Sequence, residues 1–158
     1  MGLDMFLTKR TYVGSKVTKV SVTEDVEHLR YCLYLRKGVT SIFPERISHV
    51  IEEVGYWRKA NQIHGWFVDN VQNGIDNCQE FEVSLTNLKG LLETCERVRD
   101  DHSLAEALLP LRRGFFFGSD EYYFEHIDNT IDIINKVILE DSEQSPTEFV
   151  RYFYQSSW

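Results

Sequence analysis

The spacing of apolar residues changes twice along this chain, and that change constrains its fold more than any other feature. The first ten residues set Leu3, Met5 and Leu7 against Asp4, Phe6 and Thr8, the period-two alternation of a strand with one face in a core. Lys16 to Thr23, with Val17, Val20 and Val22 in imperfect alternation, continues the β character. So does His28 to Leu35, where Leu29, Tyr31, Leu33 and Leu35 oppose Arg30, Cys32 and Tyr34. Gly14-Ser15 and Lys37-Gly38 supply turns. At the other end, Glu148 to Gln155 alternates Phe149, Arg151 and Phe153 with Val150, Tyr152 and Tyr154, which predicts a closing strand.

Between these ends the spacing is three to four. Pro44 suits the first turn of a helix, and Ile47, Val50, Ile51, Val54, Trp57, Ile63, Phe67, Val68 and Val71 follow at helical intervals. Gly55 and Gly65 interrupt that run, each at a cost of about 1 kcal/mol relative to alanine in a helix interior. Either the segment is two helices, or its glycines permit close packing or a bend. Asn73-Gly74 ends it, and a short stretch follows at Glu80 to Val83. Ser84 is the expected N-cap of a helix carrying Leu85, Leu88, Leu91, Leu92, Cys95 and Val98, closed by Asp100-Asp101. Ser103 is read as capping a short helix before Pro110. Asp120 is read as capping a longer one with the stripe Tyr123, Phe124, Ile127, Ile131, Ile134, Val137 and Ile138, and Asp141 to Pro146 as a loop.

The expected architecture is α+β: N-terminal antiparallel strands joined by the C-terminal strand and packed against three to five helices. Residues 1–158 are read as one domain, with a β-rich part at 1–43, a helical part at 44–143 and the closing strand at 148–156. A chain of 158 residues buries about 70% of its unfolded surface, enough for a core without staples. Three cysteines, Cys32, Cys78 and Cys95, form no CxxC pair, so neither a disulfide framework nor a zinc ribbon is supported. Runs such as Gly114 to Gly118 are too short to span a bilayer, and no N-terminal segment resembles a signal peptide, so a cytoplasmic location is expected.

The net charge of −8 is unevenly placed: residues 1–43 carry +3 and residues 44–158 carry −11. Direct nucleic-acid binding is disfavoured, because phosphate contacts need a basic stripe. Seven net negative charges fall between Asp120 and Glu143, where Glu121, Glu125, Asp128 and Asp132 offer an acidic interaction face and Lys136 is the one cation. Such a face ordinarily serves solubility; occupying a basic channel in place of nucleic acid is the sharper alternative.

Four blocks carry a resemblance: Met1 to Met5 (MGLDM); Glu52 to Asn61 with Ile63-His64 and Trp66-Phe67; Gly114 to Ser119 (GFFFGS); and Tyr154 to Trp158 (YQSSW). Together they resemble a family of small uncharacterised proteins encoded in bacteriophage genomes and prophage-like regions. The resemblance implies an accessory gene product acting on host machinery, and it carries no catalytic residue over.

On their own chemistry, Trp57, Arg58, Asn61, His64 and Trp66 form the densest aromatic and polar cluster. On a continuous helix Arg58, Asn61 and Gly65 share a face. Arg58 suits a phosphate or carboxylate, Asn61 an amide or base edge, Trp57 or Trp66 a stacked ring, and His64 proton transfer. The bland reading is a core-crossing helix with its polar groups satisfied internally. Phe116 and Ser119 lie in a glycine-flanked loop that suits an anion, although neither GxGxxG nor GxxxxGK[ST] is present. His49-Val50-Ile51-Glu52-Glu53 lacks a second histidine for a zincin, and no GxSxG elbow occurs, so no metal, cofactor or catalytic residue is expected.

These observations favour a phage- or prophage-encoded, non-enzymatic binder or inhibitor of a host protein or complex, with anti-defence action of the anti-CRISPR kind as one form. A small anionic ligand is a further expected partner, and a membrane is not. The alternative is a small-ligand or nucleotide-binding protein, or an enzyme, with a pocket around Arg58, Asn61 and His64.

Overall fold

The computed structural model describes residues 2–12, 47–112, 121–144 and 149–158. The strands expected at Lys16 to Thr23 and His28 to Leu35, the helical turn at Pro44, the loop with Phe116 and Ser119, and the Asp120 cap lie outside them.

Strand β1, Asp4–Tyr12, is the pivot of the sheet. Its alternation is as expected: Leu3, Met5 and Leu7 are fully buried, while Phe6, Thr8 and Arg10 turn the other way. It pairs antiparallel on one side with β2, His49–Arg58, and on the other with β4, Phe149–Ser157. A short β3, Phe81–Val83, pairs with β4, giving the order β2-β1-β4-β3. The closing strand therefore joins the N-terminal sheet, and the α+β architecture stands.

One element differs from expectation. In the segment from Ile47 to Arg58, assigned to the helical part on its apolar spacing, His49–Arg58 is β2. The register explains the misreading. Leu7 lies opposite Gly55 and Thr8 opposite Glu53, so Val54 is an extra residue, a β-bulge. One insertion in a period-two pattern turns Val50, Val54 and Trp57 into positions four and three apart, the spacing of a helix face. Gly55 sits beside the bulge for a packing reason: a Cβ there would lie 2.8 Å from Ile133 Cγ2 and 3.3 Å from Leu7 Cβ.

The helices follow. Helix α1 is Asn61–Asn70 and α2 is Leu85–Asp100. Ser84 caps α2 as expected: its Oγ accepts the Asn87 N–H at 3.1 Å and Asn87 Oδ1 accepts the Ser84 N–H at 3.3 Å. A 3₁₀ turn, His102–Leu104, and a short α3, Ala105–Leu108, come next. Asp101 caps the 3₁₀ turn, accepting the Ser103 N–H at 3.0 Å, and α3 starts from Leu104 with no side-chain cap, so Ser103 caps neither. Helix α4, Tyr123–Ser142, runs into the segment read as a loop from Asp141.

The core lies between one sheet face and the helices. Leu3, Met5, Leu7, Trp57, Tyr152 and Tyr154 from the sheet meet Phe67 of α1, Leu88, Leu91, Cys95 and Val98 of α2, and Ile127, Ile131, Ile134 and Val137 of α4. Burial pushes the Cys95 thiol up to about 12, which fits an inert apolar role. Phe67 stacks on Tyr154 at 3.9 Å and meets Trp57 edge-on at 6.0 Å, pinning α1 to the end of β4.

Candidate functional site

The residues singled out between Tyr56 and Phe67 are distributed over a strand end and a helix, so Arg58 does not share a helix face with Asn61 and Gly65. Trp57 is buried and its indole N–H donates to Thr130 Oγ1 at 2.9 Å. Arg58 is exposed on the other face of the strand, where its Nη1 lies 3.3 Å from Asp4 Oδ1. Tyr56 donates to the same carboxylate at 2.5 Å, and that hydrogen bond raises the phenol above its ordinary range. Asn61 is buried and accepts the Arg112 N–H at 3.1 Å. Trp66 packs edge-on to Phe67 at 5.6 Å. Arg58 is thus held by Asp4 on the outer face of the sheet, whereas Asn61 and His64 are buried on α1.

His64 belongs to a buried polar network. Its Nδ1 lies 2.8 Å from the Tyr154 hydroxyl and its Nε2 3.1 Å from Asp76 Oδ2, while Trp158 donates its indole N–H to Asp76 Oδ1 at 3.2 Å. Burial holds the imidazole below its ordinary value, opposed by the Asp76 hydrogen bond, and burial pushes the Tyr154 phenol well up. Three non-glycine residues with positive φ surround the connections that build this region: Lys59 at 60°, Asn73 at 53° and Cys78 at 58°. Gln72, in the loop between α1 and Asp76, is fully buried with neither end of its amide hydrogen-bonded. Gly65 admits Arg112, whose Nε would be 2.6 Å from a Cβ there, and Arg112 in turn pairs with Asp69. The imidazole has partners on both nitrogens and lies wholly inside, so its geometry suits holding α1, the Asp76 loop and the C-terminus together. Sequence reasoning found His64 but missed Asp76 and Tyr154; the Asp76-Asn77 turn signal was the available hint.

The opposite end of the sheet is open. On its outer face Arg10, Tyr12, His49, Ile51, Phe149, Arg151 and Phe153, together with the core-facing Val150, line a groove of about 660 Å³, within the range of ligand sites. The register places Tyr12 opposite both His49 and Phe149, and Arg10 opposite both Ile51 and Arg151. The Tyr12 and His49 rings are 5.2 Å apart, and the Arg10 guanidinium lies 4.2 Å over Phe153 while also pairing with Glu80. Phe149 is 74% exposed, Ile51 59% and Tyr12 43%. Of these residues only His49 drew attention in sequence, in a stretch weighed for a metal and set aside; outward alternation of Phe149, Arg151 and Phe153 was the signal for the groove.

A smaller cavity of about 350 Å³ lies by His102 and Phe124, whose rings stack at 3.9 Å. Glu121, Glu125, Asp128 and Asp132 are all exposed, at or along the outer side of α4. Among the described residues, no group of three or more His, Cys, Asp or Glu is placed to hold a metal ion, and no helix is long and apolar enough to cross a membrane. None of the protein-family models, curated proteins or solved structures compared with this chain matches it.

Proposed function

We propose that this chain is a non-enzymatic binding protein, encoded by a phage or prophage, which engages a host protein through the outer face of its sheet. The phage origin rests on the four sequence blocks. The binding role rests on one observation: Phe149, Ile51 and Tyr12 stand exposed around a groove flanked by Arg10 and Arg151. Aromatic and arginine side chains are the usual anchors of protein interfaces, and large apolar groups clustered on a folded surface mark places where something docks.

The test is capture of a partner from host lysate by the purified chain and by Phe149→Ser and Ile51→Ser variants. Both substitutions leave the core untouched, so loss of capture at unchanged melting temperature supports the reading. Retained capture in both variants removes it. Charge reversal at Asp128 and Asp132 is the parallel control for the acidic side of α4.

A further inference from the structure

We infer that the groove receives an acidic segment of the partner bearing an aromatic residue, with the ring against Tyr12, Ile51 and Phe149 and a carboxylate on Arg151. This inference rests on the binding role proposed above and adds the chemistry of what is bound.

Charge complementarity carries it. Among the described residues, two arginines and His49 line the groove, and no Asp or Glu does. Arg10 is held by Glu80 and by the Phe153 ring beneath it, so it gives the groove a fixed wall while the carboxylate offsets its charge, and the basic contact falls to Arg151. Arg151 is 69% exposed and lies 3.6 Å through Nη1 from Glu82, so further guanidinium N–H donors face solvent and fit a carboxylate fork. The apolar part of the groove supplies ring-sized contact surface from three different strands.

The same surroundings select against a nucleic-acid strand, although aromatics and arginines on a sheet also suit stacked bases. Glu53 and Glu82 lie in register with Thr8 and Phe153 on this face, Glu80 borders it, and Asp4 stands at its far end. A polyphosphate crossing the sheet would pass these carboxylates on a chain of net charge −8. One carboxylate beside one ring meets only the basic part.

The experiment is fluorescence anisotropy of the full chain with a labelled short peptide carrying one Trp beside a single aspartate, with its lysine counterpart, and with a labelled single-stranded oligonucleotide. The expected result is saturable binding of the acidic peptide alone, weakened about tenfold or more by Arg151→Glu, and lost in Phe149→Ser. Arg151 is exposed, so the variant should retain its fold, and its melting curve verifies that. Equal binding of the acidic and lysine peptides, stronger binding of the oligonucleotide, or no binding overturns the inference. Sedimentation of the chain alone tests a second copy as occupant, since Tyr122, Phe124, Glu121 and Glu125 are themselves exposed and acidic-aromatic. Self-association abolished by Arg151→Glu would overturn an external partner. If Phe149→Ser loses lysate capture while the acidic peptide never binds, the binding role survives and only this inference fails.

Discussion

The two ends of one sheet use similar side chains to opposite ends. Where β1 begins and β4 finishes, His64, Tyr154 and Asp76 are joined to each other, with the imidazole and phenol fully buried. Where β1 finishes and β4 begins, His49, Tyr12 and Phe149 lie around an open groove. The first arrangement spends its hydrogen-bonding capacity internally and so fixes the fold; the second leaves ring faces and guanidinium donors for a partner. Composition does not separate a site from a clasp. Exposure and prior pairing do.

The comparison breaks most visibly at His64. His64→Leu strands the Tyr154 hydroxyl and the Asp76 carboxylate without their ring partner, and should cost about 2–4 kcal/mol in a urea unfolding curve. A loss below about 0.5 kcal/mol would show that the network is not structural. Next is Gly55→Ala, which forces a Cβ to within 2.8 Å of Ile133 and should cost about 1–3 kcal/mol by the same assay.

A pH series sharpens the contrast without a large perturbation. The His64 imidazole is depressed in the folded state, first by burial, and so is that of His126, again chiefly by burial. A base with a lowered folded value is neutral when folded and takes up a proton on unfolding. Stability is therefore present above the unfolded value of about 6.5 and lost as pH falls toward the folded values. The melting temperature should drop on acidification below about pH 6.5, less steeply in His64→Gln. An identical slope in that variant would place the titration elsewhere. The smallest effect belongs to the open end: Phe149→Ser should change stability by no more than about 0.5 kcal/mol in the urea assay, because the ring is 74% exposed.

Much of the fold was legible because long periodic stretches report their own geometry. Ile127, Ile131, Ile134 and Val137 spaced along α4, the Ser84 cap and the alternating ends needed no tertiary information. The β2 strand was not legible, because the bulge at Val54 imitates helical spacing and only pairing with β1 reveals it. The candidate site was less legible still. Aromatic and polar density drew attention to Trp57, Arg58, Asn61 and His64, yet burial and pairing are set by partners as distant in sequence as Thr130 and Tyr154. The groove is assembled from three strands that sequence shows only one at a time.

The most direct measurement is partner capture by wild type, Phe149→Ser and His64→Gln, each at a temperature where melting curves show it folded. The account predicts capture by wild type and by folded His64→Gln, and none by Phe149→Ser. Capture retained in Phe149→Ser, or lost in folded His64→Gln, would contradict it.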